Sequence, residues 1–416
     1  MVNMGELFAH PRIKDIAMDL VPLDKKEFHY LLEAGDLLFA RQSLVLSGAG
    51  QCSIFLCNKE PTVFESHLIR CRLNTLASNP LFYFYFFRSP DGRKAIEAIV
   101  EQGAGASGIR GSDLVNLQVP NPRKQTQDEI AEVMGALDDR ITLLRETNAS
   151  LEAIAQALFK SWFFDFDPVH AKMEGRAPEG MDEATAALFP DTFEETELGA
   201  VPKGWRVTAV EDFAERVGMG PFGSNIKVET FVESGVPVIS GQHLKQSLVE
   251  DNTSNFITPE HAQRLAKSCV HAGDVIFTHA GSIGQVSLLH RDAAFSSYVL
   301  SQRQFFLRCN RELMSPEWVM HYFKSPIGQH QLLANTSQVG VPSIARPVTY
   351  LRSIRLVVPP PELNQRFASL AGSINDCVMA NRKQLTSLVA IRDSLLPRLI
   401  SGQLRLAEAA EALEAV

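Results

Sequence analysis

From Ile130 to Trp162, apolar side chains recur in alternating steps of four and three: Ile130, Met134, Leu137, Ile141, Leu144, Asn148, Leu151, Ala155, Leu158, Trp162. That spacing is a heptad seam and predicts one long amphipathic helix. The same register returns near the C-terminus at Phe367, Ala371, Ile374, Val378, Asn381, Leu385, Leu388, Arg392, Leu395 and Leu399. Each seam closes a stretch of short apolar runs broken by turn residues. Two such helices at matched places in the chain mark an internal duplication.

Each seam carries one Asn among its apolar positions, and the two are not in equivalent slots. Parallel packing would set each Asn against a Leu (Leu385 for one, Leu144 for the other). Antiparallel packing sets Ile130 opposite Leu399 and brings Asn148 opposite Asn381. An amide buried against Leu costs roughly 1–3 kcal/mol, whereas two facing amides satisfy each other. A buried polar pair also fixes register. The expectation is an antiparallel helix pair, about 48 Å long at ~1.5 Å per residue, with Asn148 touching Asn381.

The stretches before the helices repeat as well. Ala34-Gly35-Asp36-Leu37-Leu38-Phe39 reads as a turn into a strand, and Ala272-Gly273-Asp274-Val275-Ile276-Phe277 repeats it. Ser78-Asn79-Pro80-Leu81 suits a helix start, as does Ser315-Pro316-Glu317-Trp318. Leu117–Pro120 and Leu356–Pro359 each read as a strand running into the long helix. The second copy opens near Gly204-Trp205-Arg206-Val207. The first opens at Met1, level with about Ile239, so residues 205–238 have no counterpart. A compromised first unit with open strand edges is expected, either because the chain is truncated at its start or because something else supplies that piece. The expected segments are a first globule over 1–121, a helix over 124–165, an acidic linker over 166–203, a second globule over 204–360, a helix over 362–402 and a tail over 403–416.

Charge is unevenly spread. Residues 165–200 hold ten acids against two bases, while residues 204–360 hold fourteen bases against twelve acids. The overall charge of −8 is therefore a property of the linker, and the second globule is close to neutral. Nucleic-acid domains are usually strongly basic, so charge alone does not point to DNA. No run of apolar residues is long enough for a membrane span, and no signal pattern opens the chain. The six cysteines show no zinc spacing, which fits reduced thiols, a cytoplasmic protein and no metal site.

Catalytic motifs are missing. There is no phosphate-binding G-x-x-x-x-G-K-[ST] loop, no G-x-S-x-G and no H-E-x-x-H. Asn79-Pro80-Leu81-Phe82 lacks the second proline of the adenine-methyltransferase motif and reads as a helix cap. What remains are polar, glycine-bearing loops. Gly218–Lys227 can lay backbone N–H groups, Ser224, Asn225 and Lys227 along phosphates. Gly241–Lys245 offers Gln242, whose amide can bond adenine through two contacts, with His243 and Lys245 beside it. His279 and Ser282, Gln302 and Arg303, and Gln338 lie on loops of the same kind. Arg41, Gln42, Ser107 and Arg110 are their parallels in the first globule.

Two further blocks carry a resemblance. Ala157–Val169, then Phe189-Pro190-Asp191, then Leu198–Trp205, looks like the central conserved region of the specificity subunit of type I restriction–modification enzymes. Leu395–Leu404 is similar to that family's C-terminal signature, and Gly220–Ser224 to the opening of a recognition domain. The resemblance covers nearly the whole chain. It departs from the family at the short N-terminus. The resemblance implies an α+β fold: two mixed α/β target recognition domains, each followed by a long helix, the helices packed as an antiparallel coiled coil. It implies double-stranded DNA as ligand, each domain reading half of a split target, with the helices spacing the halves by more than one turn of roughly 34–36 Å. It implies a non-catalytic chain that docks two methyltransferase subunits and the restriction/translocase subunits. S-adenosylmethionine, ATP and Mg would belong to those partners, with no cofactor on this chain. Trp162, Phe163, Phe164, Asp165 and Phe166 are candidate docking residues; from the residues alone, the same cluster reads as a hydrophobic clasp between the helices. Other readings are a coiled-coil scaffold that binds protein rather than DNA, a truncated inactive specificity subunit, and a self-contained methyltransferase. Salt response separates the first from DNA binding.

Overall fold

The computed structural model describes residues 1–404, apart from Ala104, Ser224, Ser254, Gln338 and Val339. The chain divides into two compact units, residues 1–145 with 383–416, and residues 146–382. Both long helices form, as α5 (Lys124–Phe163) and α10 (Pro361–Ile400), and each contributes one half to each unit. Among the described residues no helix is long and apolar enough to cross a membrane.

The first unit carries α1 (Met4–Ala9), β1 (Arg12–Lys14), β2 (Leu37–Ala40), β3 (Cys52–Cys57) and β4 (Leu68–Cys71). Their sheet runs β1-β3-β2-β4, parallel only between β1 and β3. Two short helices follow, α2 (Pro80–Arg88) and α3 (Pro90–Glu97), then α4 (Gly111–Val115). The six aromatic residues from Phe82 to Phe87 are all buried. They pack on the sheet and on Ile130, Met134 and Leu137 of α5, with Leu395 and Leu399 of α10 in the same core. Ten of the twenty seam positions lie in this unit, five from Ile130 to Leu144 on α5 and five from Leu385 to Leu399 on α10. Arg392, a seam position, bonds Asp138 at 3.0 Å.

The second unit repeats this frame with more strands. It opens with β5 (Arg206–Ala209), α6 (Val210–Phe213), β6 (Ala214–Met219) and β7 (Val236–Ile239). Then come β8 (Val275–Thr278), β9 (Val286–Leu288), β10 (Tyr298–Leu300) and β11 (Gln304–Cys309). An antiparallel sheet runs β6-β11-β8-β9, and a second sheet is built around the parallel pair of β7 and β10. α7 (Pro316–Lys324), α8 (Pro326–Leu333), α9 (Pro347–Ser353) and β12 (Arg355–Val358) complete it, with β12 pairing β5.

The duplication is legible in the interior chemistry. Asp36 and Asp274 are each 1% exposed and each holds an arginine through both oxygens, Arg72 in one unit and Arg308 in the other. Asn79 caps α2 while its backbone N–H donates to Gln127 of α5; Ser315 caps α7 while its N–H donates to Asn364 of α10. Ser89 and Ser325 then cap α3 and α8. Three residues on, Gly92 and Gly328 sit so close that a Cβ would fall 1.9 Å from the Phe86 or Tyr322 carbonyl oxygen. Only glycine fits a helix pair bent that tightly.

In the second unit, Asn381 Nδ2 donates to Asn148 Oδ1 at 2.8 Å, the contact that antiparallel pairing requires. Arg382 lies 3.8 Å from Glu152, and Phe367 packs edge-on against Phe159, Phe163 and Trp162. Residues 166–203 do not behave as a free linker. Val169 and Phe189 are buried in the second unit's core, Val201 is buried too, and Arg366 holds Asp182. The acids stand between these apolar anchors and face water, which is why composition alone read the stretch as a linker.

Candidate nucleic-acid interface

Four strands of the second unit end beside one another, at Met219, Ile239, Thr278 and Leu300, and β11 begins there at Gln304. The loops beyond these ends are tied together by the backbone. Gly220 N–H donates to Gln304 O at 2.8 Å, Ser301 N–H to Ile239 O at 2.7 Å, and His279 N–H to Arg303 O at 2.9 Å. Ile344 N–H closes the cluster on His279 O at 2.8 Å. A Cβ on Gly220 would sit 1.8 Å from Ser301 O, so glycine is required for the two loops to meet.

A buried polar chain holds the floor. Ser301 Oγ bonds Gln304 Oε1, Gln304 Nε2 donates to Thr278 Oγ1 at 3.4 Å, and Thr278 Oγ1 donates to Gln285 Oε1 at 2.9 Å. Gln304 and Thr278 are 1% and 2% exposed. Paired this way, buried amides and hydroxyls fix loop positions that apolar packing would leave loose. Above the floor is a cavity of about 200 Å³ lined by Phe222, Ile226, Phe231, Ser240, Asn255 and Gln302, among others.

The residues expected to read DNA divide into three groups. Asn225, Lys227, Gln242, Lys245, Ser282, Gln302 and Arg303 are exposed on this loop cluster. His279 is half-buried, its ring Nε2 3.1 Å from Gln302 O, and burial holds its pKa below the usual histidine range. It is a neutral ring that orients the 301–303 loop. His243 is a correction: it is 2% exposed, its Nδ1 accepts the Ser240 N–H at 2.9 Å, and Gln242 Nε2 meets its Nε2 at 3.2 Å. Burial lowers its pKa too. It pins the loop from inside and leaves Gln242 at the surface. Ser224 and Gln338 lie outside the described residues.

The first unit has a smaller version. Gln42 and Ser43 pair with Gly108 and Ser107, and Ile109 N–H donates to Arg41 O at 2.9 Å, as Ile344 does to His279. A cavity of about 300 Å³ lies between Arg41, Gln42, Glu101, Ser107 and Arg110. Arg110 is held by Glu101 at 2.6 Å, so one expected phosphate contact is already neutralised.

The docking cluster is also corrected in part. Trp162 is 3% exposed, and Phe163 and Phe166 pack on Trp205, Trp318 and Phe193 inside the second unit. They are the clasp that closes the core. Phe164, 38% exposed, remains at the surface, with Asp165 half-buried beside it and ion-paired to Lys160. One residue escaped the sequence reading. Phe222 stands 86% exposed at the tip of the 220–227 loop, where a stacking side chain is of use to a nucleic-acid reader. Its signal was an aromatic set between Gly220-Pro221 and Gly223.

Two α/β units thus repeat one frame, and each carries exposed amides and cations on loops at a strand end. The sequence profile of the type I restriction modification DNA specificity domain matches residues 23–153. The HindI type I restriction enzyme specificity subunit of Haemophilus influenzae is 24% identical over 97% of this chain and 94% of its own length. The MjaIX specificity subunit of Methanocaldococcus jannaschii is 24% identical over 79% of this chain and 69% of its own. The crystal structure of a type I restriction-modification S subunit from M. genitalium shares the fold at a TM-score of 0.50 and 18% identity, covering 88% of this chain and 83% of that one. The chain is similar to type I restriction enzyme specificity subunits along nearly its whole length.

Proposed function

We propose that this chain is the sequence-reading subunit of a type I restriction–modification complex, each unit reading one half of a split DNA target. The observation that carries this is the pairing of full-length similarity with a loop cluster repeated at the same strand ends of both units. Exposed Gln242, Gln302 and Arg303 have the chemistry to read base edges, and Lys227 and Lys245 to contact phosphates. The bases are contacted from loops, so specificity can change while the frame stays fixed.

The chain carries none of the phosphate-loop motifs noted above. In this reading two methyltransferase subunits supply S-adenosylmethionine chemistry, restriction subunits supply ATP- and Mg-dependent chemistry, and this chain positions both on DNA. Phe164 is the candidate contact for a partner.

The test is a methylation map. The chain is expressed with its cognate methyltransferase in a methylation-free host, and modified adenines are sequenced. A split motif with a fixed gap is expected. Binding that is insensitive to sequence and salt, with no motif, rules the reading out in favour of a protein scaffold.

A further inference from the structure

The turn Gly241–His243 follows β7 and sets one exposed amide over one buried ring. The Ser240 N–H donates to His243 Nδ1 at 2.9 Å, and the Ser240 hydroxyl stands 3.4 Å from the same nitrogen. A ring nitrogen that accepts an N–H carries no proton of its own, so the proton of this neutral imidazole is on Nε2. Burial, which lowers the ring's pKa, keeps a second proton off. Nε2 is therefore a donor, and the group that meets it at 3.2 Å is the Gln242 amide. Two donors do not bond each other. The pair is satisfied when the amide turns Oε1 to the ring, a half-turn about its last torsion that leaves the shape of the side chain unchanged. The neighbouring amide is engaged in the same way. Gln285 lies beside Gly241, where a Cβ would fall 3.0 Å from Gln285 Oε1, and that oxygen accepts from Thr278 Oγ1 at 2.9 Å. Both amides thus give their oxygens to buried groups, and Gln242 keeps its two Nε2 hydrogens for the surface.

Within the DNA-reading role proposed above, on which this rests, we propose that Gln242 is a fixed hydrogen-bond donor, oriented by His243, and that it reads guanine rather than adenine in the second unit's half of the target. An amide free to turn fits adenine, donating to N7 while accepting from the N6 amino group. With Oε1 turned down to a ring that is 2% exposed, the accepting end faces the interior instead of the groove. Guanine is the base whose major-groove edge offers two acceptors, O6 and N7, and no donor; thymine offers one acceptor beside a methyl group, and cytosine only a donor. Lys245, exposed on the same loop, brings donors and no acceptor, so it too favours such an edge. Turning the amide back to take adenine would leave the His243 Nε2–H buried without a partner, and that penalty sets the choice. His243 touches no base. It is a positioning residue, and Ser240 fixes its proton in turn.

The experiment maps methylation by the complex of this chain with its cognate methyltransferase in a methylation-free host. The unaltered chain gives a split motif in which one pair of the second unit's half is G·C, and Gln242→Ala makes that pair alone degenerate. His243→Phe keeps a ring in place, frees the amide to turn and widens the same position to either purine, a change of base choice that a merely structural role would not produce. Where that variant does not fold, altered DNA replaces it. A duplex with 7-deazaguanine at the position lacks the N7 acceptor and binds the unaltered complex about tenfold more weakly in fluorescence anisotropy. The Gln242→Ala complex does not distinguish it from guanine. Inosine, which keeps O6 and N7, binds both complexes as guanine does. An A·T pair at the position, a split motif untouched by Gln242→Ala, or full binding to the 7-deazaguanine duplex overturns the proposal and leaves the broader reading standing. No split motif from the unaltered chain fails that reading, and this proposal with it.

Discussion

The two units keep the same interior and differ at their margins. Both hold the buried aspartate–arginine pair, the long-helix amide that accepts the backbone N–H of the first short helix's cap residue, and the Ser-Pro-x-Gly bend. These positions are constrained by buried polar groups that have no alternative partner. The exposed side chains of the strand-end loops lie outside that frame and differ between the units: Arg110 is ion-paired to Glu101 in the first, and Arg303 is exposed in the second. A duplicated reader needs this division: a frame that cannot drift and a surface that can.

The largest expected effect tests whether the frame is equally important in both units. Asp274→Ala strands Arg308, which is 24% exposed, and should cost about 3 kcal/mol. Asp36→Ala strands Arg72, which is 38% exposed and better hydrated, and should cost about half as much. Urea unfolding followed separately for each unit measures both. Equal losses would break the comparison.

Acid should also separate the units. Burial lowers the pKa of His321 to about 3, from an ordinary 6.5, so it is neutral in the fold. The unfolded chain takes up a proton below pH 6.5 that the fold refuses. The stability His321 contributes is therefore complete above 6.5 and is lost as pH falls towards 3, by at most about 1.4 kcal/mol per pH unit. His243, His279 and His290 are displaced in the same direction, all by burial and all in the second unit. The matching position in the first unit is Tyr85, whose pKa burial raises, so it does not titrate in this range. Thermal melts between pH 7 and 4 should show the second unit failing first, and His321→Gln should flatten its slope.

The Asn148–Asn381 pair is a smaller lever. Replacing either by Leu leaves one amide facing a hydrocarbon and should cost roughly 1–2 kcal/mol, while the double Leu variant recovers most of the loss. A double-mutant cycle on the second unit's stability measures the coupling, and additivity would show that the hydrogen bond does not set register.

The helix pairing was legible because a heptad seam declares its own partners, and one Asn per seam sufficed to choose the direction. The strand ends were legible as polar loops for the same local reason. Burial was not. His243 and Gln242 are neighbours in the chain, yet one faces the core and the other water, and only the turn at 241–243 decides which. The residues alone favour a clasp for Trp162 and Phe163, and the packing that makes it one comes from distant sequence, Phe189 on Trp162 and Trp205 on Phe163.

The smallest expected effect bears on DNA contact. Each cation that neutralises a phosphate steepens the fall of binding with salt by about 0.9 in the log–log slope. Arg303→Ala and Lys245→Ala remove exposed charges from the second unit's cluster and should each shallow the slope by nearly that amount. Arg110→Ala should shallow it by less, because Glu101 already holds that guanidinium at 2.6 Å and must be displaced before a phosphate can take its place. Glu101→Gln frees Arg110 and should steepen the slope, making the first unit behave more like the second. Fluorescence anisotropy with a duplex target across a salt series measures all four. If Glu101→Gln has no effect while Arg303→Ala does, the first unit's loops do not approach the DNA backbone, and the likeness between the two units stops at their frame.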